Sequence, residues 1–257
     1  MLKIDIIYNK DCLEGMKELP DKCIDAVIAD MPYGVLNRKN GSAGWDRQIP
    51  LDALWEQYRR IAKPSCPIIL FAQGIFSARL MLSQPRMWRY NLVWRKDRGH
   101  LNAKRMPLRQ HEDIIVFYDR QPVYHPQMTP CLPEQRNHGR RKSGNDFTNR
   151  CYGNMKLVPV RVADDKYPTS VISVAKEHKT GAFYHPTQKP VALMEYLIRT
   201  YTNEGDVVLD NCIGSGTTAI AAIRTGRHYI GFEVDPGYCE IAERRIQEAL
   251  ECEDGTK

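Results

Sequence analysis

The chain is predicted to fold as an α/β protein with a doubly wound, mostly parallel sheet. Three features predict it: short, wholly apolar runs of strand length, helical periods between them, and a β-α-β-α order in the last third of the chain. Ile4–Tyr8, Ile24–Ala29 and Ile68–Ala72 are apolar without alternation, as strands covered on both faces are. A helical pattern over Leu51–Ala62 precedes the third of these, and Pro64 stops it because its ring cannot continue a helix. Tyr90–Arg95 and Asp113–Tyr118 are further strands, expected as an antiparallel pair edging the sheet. Residues 119–183 lose this order: rich in Pro, Arg, Asn and Gly, they hold one convincing strand, Ser170–Val174, and read as an inserted, surface-active segment. After His185 order returns, with Pro190 opening a helix to Tyr201, a strand at Val207–Asp210, a helix at Thr217–Thr225, a strand at Tyr229–Glu233 and a helix from Pro236 to about Leu250. Residues 252–257 are expected to be disordered.

Composition excludes several classes. The 257 residues, 42% hydrophobic and 26% charged, can bury a full core. No run nears the roughly 18 apolar residues that cross a bilayer, and Asp5 and Asp11 interrupt the apolar start, so neither a membrane segment nor a secretory signal is expected and a cytoplasmic setting is. The eight cysteines form no C-x-x-C pair and no Cys/His cluster at zinc spacing, so reduced thiols and no metal are expected; His125, Cys131 and His138 read as chance neighbours in a loop. The net charge of +6 is uneven: Arg86–Ala182 carries 19 Lys/Arg against 9 Asp/Glu, and the rest 18 against 22. A polyanion would bind the middle.

Two junctions carry chemistry. The segment Val207–Thr218 runs from an apolar strand through Gly214-Ser215-Gly216 into a helix, and Glu233 ends the next strand about twenty residues later. The glycines let backbone turn sharply and approach a ligand, and an acid at the tip of the second strand accepts hydrogen bonds from ribose hydroxyls. This marks an adenosine-containing cofactor; the pattern alone leaves a nicotinamide dinucleotide open, since Ala219 stands where the fingerprint accepts Gly or Ala, whereas no G-K-[ST] supports a phosphate-binding P-loop. The second junction is Asp30-Met31-Pro32-Tyr33-Gly34, directly after Ile24–Ala29. A carboxylate, a rigid turn and an aromatic ring at the carboxyl end of a central strand suit an extruded base, which stacks on the ring and offers its exocyclic amine to acceptors. The alternative is a plain turn in which Asp30 caps the following segment and Tyr33 is core.

Asp30-Met-Pro-Tyr33 resembles the D-P-P-Y tetrapeptide of the amino-methylating DNA methyltransferases. Asp210–Thr218 is similar to their D-P-F-x-G-S-G-T-T cofactor loop, and His185–Pro190 to the H-P-T-Q-K-P stretch before it. With the catalytic motif first, a basic insert in the middle and the cofactor loop near the end, the chain resembles the β class, whose Rossmann-like fold is circularly permuted. Asn9–Cys12 with Leu13 and Leu19, Trp45-Asp46, Ile49-Pro50, Leu54–Glu56 and Ile61–Pro64 resemble small adenine methyltransferases of phages and prophages.

The resemblance implies a catalytic half at 1–118, an inserted target-recognition region at 119–183 and a cofactor half at 184–251 of the same domain. It implies that Asp30 accepts one hydrogen of the target amine and the carbonyl of Met31 the other, that Pro32 fixes the turn, and that Tyr33 stacks on the base. S-adenosylmethionine would be held by Asp210, Asn211, Cys212, Gly214, Ser215, Gly216, Thr217 and Thr218. Glu233 with Val234 would take the ribose, Asp11 and Cys12 would lie near the adenine, and Asp30, His185, Thr187, Gln188 and Lys189 would close around the methionine end. Met31 for the family's first proline and Asn211-Cys212 for its Pro-Phe are departures; the first removes a φ restraint but leaves the carbonyl acceptor. No nucleophile is required, so Pro130-Cys131 reads as a loop cysteine rather than the thiolate of a carbon-5 methylating enzyme. Asp at the head of the tetrapeptide favours N6 of adenine, with N4 of cytosine, structured RNA, and a catalytically impaired regulator as alternatives. Double-stranded DNA is the expected partner, held by Arg95, Lys96, Arg98, Lys104, Arg105 and Arg109 around the first half of the basic region and by Arg136, Arg140, Arg141, Lys142 and Arg150 around the second. A homodimer and a cognate restriction nuclease are left open. Gly41–Gly44 is expected to belong to a loop that closes on the base.

Overall fold

The computed structural model describes residues 3–34, 46–100, 103–131, 147–149, 153–155, 164–175 and 188–254. These strands and helices follow in chain order: β1 (Ile6–Asn9), α1 (Cys12–Lys17), β2 (Ala26–Ala29), α2 (Leu51–Ile61), β3 (Ile68–Ala72), α3 (Ile75–Ser83), β4 (Trp88–His100), β5 (Arg109–Phe117), β6 (Thr129–Pro130), β7 (Phe147–Asn149), β8 (Gly153–Met155), β9 (Asp165–Lys166), β10 (Val171–Ser173), α4 (Val191–Tyr201), β11 (Val207–Asp210), α5 (Thr217–Arg224), β12 (His228–Glu233) and α6 (Pro236–Asp254). They divide into two compact units, Met1–His125 with Ser170–Lys257, and Pro126–Thr169.

The first unit is one eight-stranded sheet in the order β1-β12-β11-β2-β3-β5-β4-β10. Neighbours are parallel except where β5 runs against β3 and β4. Every residue of β2 and β3 is buried, because helices cover both faces. On one face Ile28, Ile69, Phe71 and Trp94 pack with α4, α5 and α6; on the other Val27, Leu70, Ile115 and Phe232 pack with α1, α2 and α3. α2 shows how the sequence achieves this: Leu54, Trp55, Tyr58 and Ile61 fall on its inner side at helical spacing, and Asp52 and Arg59-Arg60 sit at the ends where the helix dipole favours each charge.

The antiparallel pair exists but is not the edge. β10 lies outside it, parallel to β4, with Ile172 in the core and the Val174 carbonyl accepting from Trp94 Nε1 at 2.9 Å. Residues up to His125 and from Ser170 lie with the first unit, and β10, a short strand with one buried side chain, carries too little pattern in sequence to be assigned to a distant sheet. The second unit holds two antiparallel ribbons, β6 with β9 and β7 with β8, the first supported by a Cys131 N to Asp164 O bond of 2.7 Å. α6 passes Leu250 and continues to Asp254, so residues 252–254 are helical rather than disordered; no Gly or Pro stands before Gly255 to stop it.

The connections locate the crevice. From β2 the chain proceeds to β3 on one side, and from β11 to β12 on the other, so the winding reverses between the adjacent strands β11 and β2. In open α/β sheets ligands bind beyond the carboxyl ends of strands at such a point. The chain meets there twice, at Asp30 after β2 and at Asp210 ending β11.

Candidate active site

The tetrapeptide stands at the mouth of this crevice. Asp30 keeps about a fifth of its side chain exposed, at 21%, and Tyr33 is half-buried, its hydroxyl donating to Asp30 Oδ1 at 2.7 Å and its ring 5.1 Å from that of Phe76. Met31 is only 3% exposed and fills the core beside α1 and α2, so the departure from proline is absorbed by packing. Gly34 closes the turn with φ +69°, its amide on Asp46 Oδ1 at 2.8 Å; a Cβ there would meet Gln48 Cγ at 2.8 Å.

The glycine loop is braced from three sides. Asp210, 4% exposed, accepts from Cys212 N at 3.0 Å and Thr218 Oγ1 at 2.5 Å. Burial pushes its carboxyl up to about 7 in spite of those donors. Glu233, ending β12, accepts from Gly214 N at 3.0 Å and Asp235 N at 2.9 Å, and burial raises its carboxyl as well. Arg245, from α6 and 7% exposed, donates to the Ser215 carbonyl, to Ser215 Oγ at 3.0 Å and to Thr217 Oγ1 at 3.4 Å. Gly216 caps α5 in the left-handed region at φ +81°, with Ala242 of α6 so close that a Cβ would lie 2.9 Å from its own. Gly214 differs: at φ +52° its added Cβ would meet no atom within 4 Å, so the space above it is open.

Asp11 caps α1 through Leu13 N and Glu14 N at 2.8 and 3.2 Å, which sets Cys12 beneath the loop, where Asn211 Nδ2 lies 3.7 Å from its sulfur. Asn211 is in turn fixed by the Tyr58 hydroxyl at 2.5 Å. The hydrogen bond from Cys212 leads the causes that hold the Cys12 thiol below its ordinary value, and the same bond, with burial, drives Cys212 up. Val234 is exposed at the rim, and Asn9 Nδ2 binds its carbonyl and that of Glu233 at 3.1 and 2.9 Å.

Residues 188 and 189 join the two motifs. Gln188 Oε1 accepts from Ser215 Oγ at 3.3 Å, and the next residue, Lys189, pairs with Asp30 Oδ2. Consecutive Cα atoms are about 3.8 Å apart, so the glycine loop and the tetrapeptide are tied to two adjacent residues beyond the carboxyl ends of β11 and β2. Lys189 is 7% exposed, with Glu112 Oε2 3.3 Å away and the Phe71 ring centroid at 5.0 Å. Burial pulls its ammonium down, but Asp30 and Glu112 together outweigh burial and leave it above its ordinary value. Glu112 mirrors this: burial pushes up, while Lys189 and Lys96 outweigh it and hold the carboxyl low.

Some expected site residues lie elsewhere. Lys96, grouped by sequence with the surface cations, is buried, pairs with Glu112 and sits 5.3 Å from the Trp94 ring centroid, because it shares the inward side of β4 with Trp94. Arg95, Arg98, Lys104, Arg105 and Arg109 are exposed, Arg109 reaching Gln73 Oε1 at 2.7 Å. His185, Thr187, Arg136, Arg140, Arg141, Lys142, Arg150 and Gly41–Gly44 lie outside the described residues. Two residues were not foreseen. Arg245 had a signal, a charge in phase with Cys239, Ala242, Ile246 and Ala249 on the buried side of α6. Glu112 had none, since only the reversed direction of β5 delivers it to the edge where β2 and β3 end.

Comparison with known proteins now adds to this geometry. The family model for N6/N4 methyltransferases, described as DNA methylase, matches residues 24–244, and the match takes in both motifs. The chain belongs to this DNA methylase family. It is 30% identical over 258 residues to the DNA adenine methyltransferase YhdJ of Escherichia coli (strain K12), covering 95% of this chain and 83% of that protein. Solved DNA methylases share the fold at lower identity. The M1.HpyAVI–SAM complex is 22% identical with a TM-score of 0.63, over 93% of this chain and 98% of that one. PvuII DNA methyltransferase (cytosine-N4-specific) is 17% identical with a TM-score of 0.65, over 95% and 90%. Among the described residues no helix is long and apolar enough to cross a membrane, and no group of His, Cys, Asp and Glu is placed to hold a metal ion.

Proposed function

We propose that this DNA methylase uses S-adenosylmethionine to methylate N6 of adenine in duplex DNA, with the target base turned out of the helix. One observation carries the reading: a carboxylate and an aromatic ring on one lip of a cleft whose other lip is a glycine loop tied to an acidic strand end. The cofactor fits these residues. Glu233 keeps lone pairs for ribose hydroxyls after accepting two amides, Gly214 leaves its side open, and α5 begins at the loop with its amide end toward it. M1.HpyAVI and the putative DNA modification methylase TTHA0409 of Thermus thermophilus have both been solved with S-adenosylmethionine. When bound, it supplies an electrophilic methyl carbon on a sulfonium.

The protein's part is alignment and electrostatics. An exocyclic amine is a weak nucleophile because its lone pair spreads into the ring. Asp30 and the Met31 carbonyl, accepting its two hydrogens, would localise that pair toward the methyl carbon. Tyr33 would stack on the base, and its hydroxyl bond to Asp30 keeps the carboxylate aimed. Asp210, buried and bonded within the loop, would preserve the loop's shape from below. The exposed cations of β4, β5 and their turn would hold phosphate, and the unit at 126–169 with the basic residues near it in sequence would select the site. Adenine is favoured by Asp30 at the head of the tetrapeptide and by the adenine-methylating relative.

Nucleoside digestion of DNA from cells expressing the chain tests this. N6-methyladenine is expected, and it should be lost with Asp30→Ala. N4-methylcytosine in its place would move the specificity to cytosine, and unmodified DNA alongside methylated structured RNA would overturn the DNA reading.

A further inference from the structure

We infer that Glu112 is a positioning residue for methyl transfer: it draws the Lys189 ammonium off Asp30 as the target amine arrives, so that the amine takes the donor place the ammonium holds. The inference rests on the function proposed above, since it needs Asp30 to be the acceptor for the amine.

Both oxygens of Asp30 are engaged, Oδ1 by the Tyr33 hydroxyl at 2.7 Å and Oδ2 by Lys189. An ammonium and an exocyclic amine are both N–H donors, and they compete for the same carboxylate. Lys189 has another place to go. Glu112 Oε2 lies 3.3 Å from Nζ, yet it is buried and receives no hydrogen bond among the described residues. A buried carboxylate oxygen without a donor is uncommon and needs a reason. A small rotation of the Lys189 head would satisfy it and free Asp30 Oδ2 in one movement.

The surroundings restrict the motion to the lysine. Glu112 Oε1 is held by Lys96, itself buried against Trp94, so the glutamate cannot follow the ammonium toward Asp30. The neighbouring acid, Asp113, accepts from Ser77 Oγ through Oδ2 at 2.5 Å. Two carboxylates and two ammonium groups make up the array, so moving Lys189 from one acid to the other leaves its net charge unchanged. Such a shift avoids the desolvation penalty of uncovering a buried charge.

The test uses single-turnover methyl transfer to unmethylated plasmid DNA at saturating S-adenosylmethionine, with cofactor affinity by calorimetry and DNA affinity without methyl donor by fluorescence anisotropy. Losing a charge-assisted acceptor corresponds to a factor of about 10–100, so Glu112→Gln should slow transfer by that factor and weaken DNA binding, with cofactor affinity within about twofold. Glu112→Asp should recover part of the rate. In a Lys189→Met background the further change Glu112→Gln should alter the rate by less than about threefold, because no ammonium remains to be drawn away. A wild-type rate in Glu112→Gln, or the same loss with and without Lys189, overturns the inference. Should the Gln variant not fold, Glu112→Asp carries the same comparison, slower alone and neutral beside Lys189→Met. A wild-type protein that methylates no DNA would instead refute the proposed function, and this inference with it.

Discussion

Replacing Arg245 by Met tests whether α6 holds the glycine loop in shape. Met keeps an apolar stem of similar length, so the packing beside Ala242 and Ile246 survives and only the guanidinium is lost. Three acceptors then lose their donor: the Ser215 carbonyl, Ser215 Oγ at 3.0 Å and Thr217 Oγ1 at 3.4 Å. The hydroxyls can turn to other partners, but the buried carbonyl cannot, and an orphaned carbonyl costs about 1–3 kcal/mol. With a smaller loss at the hydroxyls the total comes to about 2–4 kcal/mol, which at this chain length lowers Tm by roughly 5–15 °C. The damage lies in the loop, so the affinity for S-adenosylmethionine should fall about ten- to a hundredfold, one decade for each 1.4 kcal/mol that reaches the site. Differential scanning calorimetry and isothermal titration read the two effects separately, and Arg245→Lys should recover part of both. If Arg245→Met keeps the wild-type Tm and cofactor affinity, the loop is not held from α6 and this account of its shape is wrong.

Other predictions follow from the same contacts. Asp210 has a folded value of about 7 against an ordinary 3.8, so the fold favours its protonated form; its penalty on stability begins as pH rises above about 4 and is complete above about 7. Asp210→Asn lacks that penalty, so its Tm should improve relative to wild type between pH 5 and pH 8; a constant difference would show that Asp210 does not titrate there. Tyr33→Phe removes only the hydroxyl bond to Asp30 and should slow transfer about three- to tenfold; Tyr33→Ala, which also removes the stacking face, should lose far more, and equal losses would refute the stacking role. Gly216→Ala places a side chain in the left-handed region against Ala242 and should destabilise by about 1–3 kcal/mol in denaturant melts, whereas Gly214→Ala, with open space, should retain more stability and chiefly weaken cofactor binding. Arg140→Ala with Arg141→Ala should weaken DNA binding and reduce the slope of log affinity against log salt by about 2; an unchanged slope removes these residues from the phosphate contacts.

The parts of the site legible in sequence are those coded locally. Asp30–Tyr33 and Asp210–Thr218 each follow an apolar strand, and a strand, a turn and a helix start leave their signature within a dozen residues. The strands β2, β3, β11 and β12 were legible for the same reason. What escaped depends on distant partners. α1 spans six residues and contains Gly15, too short for a helical period to show, and its cap Asp11 read only as part of a motif. α3 is apolar nearly all round, so periodicity could not separate it from a strand. Lys96 and Glu112 look like surface charges until β5 is known to run backward between β3 and β4, which brings Glu112 to Lys96 on one side and to Lys189 on the other. β10 joins the main sheet from beyond the second unit, a pairing no local pattern could assign.

The division of labour across the cleft is most directly tested by single-turnover methyl transfer with Asp30→Ala and Glu233→Ala, each first titrated with S-adenosylmethionine. Asp30→Ala should bind the cofactor nearly as wild type does and transfer methyl groups slower by a factor on the order of 100–1000 even when saturated, as expected for losing an acceptor that acts on the reacting amine. Glu233→Ala should show the opposite pattern, weak binding with much of the rate restored at high cofactor concentration. If Asp30→Ala transfers at the wild-type rate once saturated, the tetrapeptide does not act on the amine and the account of the cleft fails.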